Sequence, residues 1–174
     1  AYYHVGPGSL GAYTDNSAAS PADAETRNVS LYGLRLEKDL VITCPVETLS
    51  LTDVRSTARV LVRSETLQSF GISGGTSLHA LVLAQGQGDL SLNPYGAAQV
   101  ETLVLAQGGG SVTIGGNVLA AEISGDGRSL TVGPGSTETL VIGGSGNTVT
   151  VEAGAALDSI LGPAQAENIR LVID

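Results

Sequence analysis

Residues 103–114 read LVLAQGGGSVTI, an aliphatic triplet, a glycine-rich break and an apolar–Thr–apolar ending. Leu and β-branched residues alternate on either side of the break, which suits two short strands. Neither half is long enough for a helix. Three successive glycines suit a compact corner, because glycine enters positive φ without a Cβ clash.

The same phrase recurs through the chain. Ten-residue copies stand at 83–92 (LAQGQGDLSL), 105–114 (LAQGGGSVTI), 123–132 (ISGDGRSLTV) and 142–151 (IGGSGNTVTV). A less glycine-rich copy occupies 42–51 (ITCPVETLSL), and copies with one inserted residue occupy 62–72 and 161–171. They begin at 42, 62, 83, 105, 123, 142 and 161, so the period runs from 18 to 22 residues. A near-constant period with variable breaks marks a solenoid, in which each unit buries its strands only against its neighbours. The expected fold is all-β: a right-handed parallel β-solenoid of about seven coils, the handedness following the general rule for parallel crossovers. Stacked at ~4.8 Å, seven coils make a rod on the order of 30 Å long. Residues 1–28 contain no copy and are expected to form an irregular N-terminal arm before the solenoid domain at 29–174. Charge at Glu37, Lys38 and Asp39, and again at Glu167 and Arg170, is expected to blunt the two open ends.

Over residues 29–174 this pattern resembles the right-handed parallel β-helices of phage tailspikes and other virion proteins, polysaccharide lyases and bacterial surface adhesins. The resemblance is one of architecture. It implies a stacked scaffold and leaves function to the residues displayed on it.

Those residues exclude several chemistries. The formal net charge of −9 opposes nucleic-acid binding, which depends on clustered Lys and Arg. A single cysteine, Cys44, rules out an intrachain disulfide or a cysteine metal cluster. No 18-residue apolar window suggests a membrane span, and no basic-then-apolar leader opens the sequence, so cytoplasmic synthesis is expected. Gly143–Val149 has the glycine spacing of a calcium-binding nonapeptide, but Thr148 stands where its Asp should be. His4 and His79 are too far apart for a zinc site. Glu101 and Glu138 fall in one column two coils apart, with Leu119 between them, which is no paired-carboxylate site. Asp39 is expected to face Arg59 as a surface ion pair. No catalytic residue, metal or cofactor is expected.

The informative column is aliphatic. With the first and third residue of each triplet inward, Val41, Leu61, Val82, Val104, Val141 and Ile160 point outward, interrupted by Glu122. Strands apolar on both faces are normally buried on both. The column is therefore expected to be an interface, and Tyr2, Tyr3 and Tyr13 of the arm are expected to make further contacts. The expectation is a non-enzymatic structural assembly protein, a homo-oligomer with a trimer preferred. In line with the resemblance, it would be a phage or phage-like virion component, such as a capsid decoration protein or a short spike. Its arm would dock on other virion or surface proteins. The alternative is a carbohydrate-binding or adhesin module, cytoplasmic or on a cell surface, although Tyr32, Phe70 and Tyr95 are the only aromatic residues in the solenoid.

Overall fold

A computed structural model describes residues 2–5, 27–84, 88–107, 110–162 and 167–173. All its regular structure is β, and every ladder is parallel. With strands numbered in chain order, the long sheet holds β1 (Tyr2–Val5), β4 (Asp39–Ile42), β6 (Arg55–Val62), β8 (Ser77–Leu83), β10 (Gln99–Leu105), β12 (Val118–Ile123), β14 (Thr139–Ile142) and β16 (Ser159–Leu161) in that spatial order. The two-residue β3 (Arg35–Leu36) also pairs with β6. Opposite lie a three-stranded sheet of β2 (Arg27–Tyr32), β5 (Val46–Thr52) and β7 (Ser69–Ser73), and a five-stranded sheet of β9 (Leu90–Leu92), β11 (Ser111–Gly116), β13 (Ser129–Gly135), β15 (Thr148–Val151) and β17 (Arg170–Ile173). Apart from β1 and β4, neighbours in each sheet are about twenty residues apart in sequence. The chain is a parallel β-solenoid of about seven turns.

The inward phase agrees with the sequence pattern. Ile42, Val62, Leu83, Leu105, Ile123 and Ile142 stand in one buried column, with Leu40, Val60, Leu81, Leu103, Ala121 and Leu140 in the next. Val29, Leu49, Phe70, Leu90, Val112, Leu130 and Val149 close the core from the opposite side. Alternation breaks once in each long strand: Leu78 is buried, His79 and Ala80 both face out, and Leu81 is buried again. Two successive outward residues make a bend. At the same bend β6 carries one extra residue, which appears as a register shift between Ser56 and Arg59. Ser56 is turned inward there, its Oγ donating to Ala58 O at 2.9 Å and accepting from Ala58 N at 3.3 Å.

Two sequence expectations require correction. The segment 1–28 is not irregular throughout, because Tyr2–Val5 forms β1 on the edge of β4, and β2 begins at Arg27. Val29 and Leu31 then pair with Leu49 and Leu51. The repeat pattern does not show this extra turn because its two strands are separated in sequence by residues 6–26, far more than a corner. In the last coil the register is displaced: Ile160 pairs with Leu140 and Leu161 with Val141, so Ile160 belongs to an inward column and Leu161 to the outward one. Likewise Leu171 pairs with Val149 and Val172 with Thr150. The final break is longer than the others, and counting from its start misplaces the residues beyond it.

Candidate interface on the outer face of the long sheet

The outer face of the long sheet is built from three columns. Ladder pairing puts Val41, Leu61, Val82, Val104, Glu122, Val141 and Leu161 in the middle one. Val41 through Val141 are half-buried, and Leu161 on the last strand is 54% exposed. Arg59, Ala80, Thr102, Ala120, Thr139 and Ser159 form the flank toward the strand starts. Thr43, Arg63, Ala84, Ala106, Ser124 and Gly143 form the other flank, where the backbone N–H groups of Arg63, Ala84, Ala106, Ser124 and Gly143 continue the parallel hydrogen bonding. Small flanking residues in the central coils leave the aliphatic column standing on a flat surface. A flat strip of stacked aliphatic side chains is the kind of patch that marks an interaction surface.

Charge enters this face at separate places. Arg59 Nη2 lies 2.5 Å and Nε 3.0 Å from Asp39 Oδ2, and Arg59 N donates to Asp39 Oδ1 at 3.0 Å. These hydrogen bonds hold the Asp39 carboxyl below its ordinary range. Arg63 is exposed, and Glu122 is half-buried within the aliphatic column.

The predicted interface residues are thus partly assembled by the fold. Val41, Leu61, Val82, Val104 and Val141 share one column, and Ile160 leaves it because of the displaced register of the last coil. The Tyr2 and Tyr3 backbones pair with Asp39 and Leu40 at one end of the same sheet. Tyr13 lies outside the described residues. The Ser/Thr column of Ser91, Thr113, Thr131 and Thr150 is in register on the five-stranded sheet, while Ser50 lies on the separate three-stranded one. On the last strand of that sheet Val172 continues the column.

Two polar arrangements were not legible in the sequence. His79 Nδ1 is 2.7 Å from Glu101 Oε2 in the neighbouring coil, at one wall of an open groove of about 530 Å³ lined also by Arg55, Ser77 and Gln99. Pairing His79 with its column neighbour would have found this contact. The carboxylate orients the imidazole, but among the described residues nothing is hydrogen-bonded to the other ring nitrogen, so no relay is built. Arg128 is buried, its N–H donating to Asn147 Oδ1 at 2.7 Å and its Nη2 lying 3.5 Å from Leu83 O, two coils away. Burial lowers the pKa of its guanidinium. Asn147 in turn donates to Gly125 O at 3.0 Å, so these side chains tie successive corners together. Arg128 was hidden because its repeat unit reads as an ordinary glycine corner.

Among the described residues there is no group of three His, Cys, Asp or Glu side chains suited to a metal ion. Among them, too, no helix is long and apolar enough to cross a membrane. No family model, curated protein or solved structure matches the chain.

Proposed function

We propose that this chain is a non-enzymatic structural assembly protein that self-associates through the outer face of its long sheet. The observation that carries this reading is the continuous register of Val41, Leu61, Val82 and Val104, flanked in the coils of Val82 and Val104 by small residues. Such a face loses little conformational entropy when covered, because stiff β-branched and short side chains have few rotamers to give up. Repetition at ~4.8 Å makes it complementary to another flat sheet. Closed symmetry is the usual way for identical chains to satisfy such a surface. A capsid decoration protein or short spike of a phage-like virion is the setting we favour, since rigid repetitive scaffolds with a sticky face suit particle assembly.

Light scattering on the purified chain is the test. An oligomer is expected, and Val104→Glu should reduce it to a monomer by placing a carboxylate in the strip. A wild type that stays monomeric at high concentration overturns the reading.

A second reading rests on Tyr32 and Tyr95, which are 72% and 80% exposed. Exposed aromatic rings are sugar platforms in carbohydrate-binding modules. Phe70 is buried, so two rings on different coils remain for that purpose. Glycan binding that disappears in Tyr95→Ala would favour this alternative.

A further inference from the structure

We infer that the partner on this face is a second copy of the chain, packed sheet to sheet with its solenoid axis antiparallel, so that Glu122 meets the Arg59–Arg63 row of the second copy. This rests on the self-association proposed above and specifies its geometry.

Two charges on this face have no ion-pair partner among the described residues. Glu122 is bordered by Val104 and Val141 in the adjacent coils and by Ala120 and Ser124 along its own outward face, none of them basic. Arg63 lies between the coils of Thr43 and Ala84, and among the described residues it makes no ion pair. A half-buried carboxylate inside an aliphatic strip is costly to cover unless the covering surface brings a cation.

Register then says which covering surface does so. The rows of the sheet run His4, Val41, Leu61, Val82, Val104, Glu122, Val141 and Leu161, with four rows on either side of the gap between Val82 and Val104. A two-fold axis lying along the strands in that gap exchanges the Val82 and Val104 rows. It also exchanges the Val41 and Val141 rows, and the Leu61 and Glu122 rows. Leu61 is flanked on its own strand by Arg59 and Arg63, each two residues away on the same outward face. That is about 7 Å along a strand, within reach of a guanidinium. Each Glu122 therefore meets Arg63, with Arg59, already paired with Asp39, on its other side, and the symmetry makes the contact twice.

The other arrangements fail on the same count. A two-fold or three-fold axis parallel to the solenoid keeps every row at its own height. With the strip at the centre, Glu122 then meets Glu122 and, about a two-fold, Arg63 faces Arg59, and like charges across an interface select against that partner. Eight rows at ~4.8 Å by about five residues at ~3.3 Å cover ~600 Å² per copy, or ~1,200 Å² in all, the lower bound of a standard stable interface.

The test is charge reversal read by light scattering and sedimentation, with cross-linking as an independent measurement. Glu122→Arg and Arg63→Glu should each raise the dimer dissociation constant by about tenfold or more, and the double variant should recover most of that loss. A chain carrying both Val41→Cys and Val141→Cys should be captured as a dimer by a short bifunctional maleimide, while either single variant should not. Cys44 is buried in all of them. A trimeric mass, capture of Val41→Cys alone, or reversal without recovery in the double variant would overturn the antiparallel geometry and leave the assembling face standing. A monomeric wild type would overturn both.

Discussion

The coil of β10 and β11 and the last coil are made of the same kinds of residue and have opposite fates. In β10 and β11, Leu103, Leu105, Val112 and Ile114 are fully buried. In β16 and β17, Ile160 is 39% exposed, Leu171 45% and Ile173 72%, although they continue inward columns. Burial here is not a property of a residue's own coil. It is supplied by the coil stacked on each side, and the last described strands have a neighbour on one side alone. Stability should therefore be graded along the axis, as expected for a chain whose units interact with nearest neighbours.

The sharpest way to break this comparison is a matched pair of truncations. Leu105→Ala removes a side chain packed between two coils and should cost roughly 2–5 kcal/mol. Leu171→Ala should cost less than about 1 kcal/mol, because much of that side chain already meets water. Denaturant titration with unchanged slope measures both, and equal costs would show that the exposed edge is covered in solution.

A smaller effect is expected at the corners. A Cβ on Gly144 would meet the Gly125 carbonyl oxygen of the preceding coil, at 1.9 Å, whereas one on Gly162 would find nothing nearer than 3.8 Å. Gly144→Ala should cost on the order of 1–3 kcal/mol, since two backbones must separate. Gly162→Ala should be close to neutral in the same titration. Stacking thus imposes glycine where corners touch and releases it where they do not.

The smallest effect belongs to the opposite end, where Asp39 and Arg59 link the first two full coils. The folded state lowers the Asp39 pKa, so the pair's contribution is present above the ordinary carboxylate range and is lost as pH falls through the lowered value. Asp39→Asn should be slightly less stable than wild type at neutral pH and indistinguishable from it in acid. Thermal melts across that range check the sign. Solvent exposure of the Arg59 side chain keeps the difference small.

Most of the architecture was legible in the sequence because a repeat states its own register. The positions of Ile42, Val62, Leu83, Leu105, Ile123 and Ile142 came from counting alone, as did the outward column from Val41 to Val141. Counting failed where the breaks were unusual: at residues 6–26, which hide the turn made by β1 and β2, and before β17, where a long break displaced Leu171. Among contacts between outward residues of different coils, counting placed Asp39 against Arg59, while His79 with Glu101 was left unread.

The sequence by itself determined which residues face inward in every coil before the last, because alternation along a strand and repetition along the axis are both written in the order of the residues. Tertiary structure alone decided what the stacked neighbours do to each of them. It buried Arg128 beneath glycine corners and left Ile173 exposed at the end of a column. Those outcomes depend on contacts between coils about twenty residues apart, and no local pattern carries that distance.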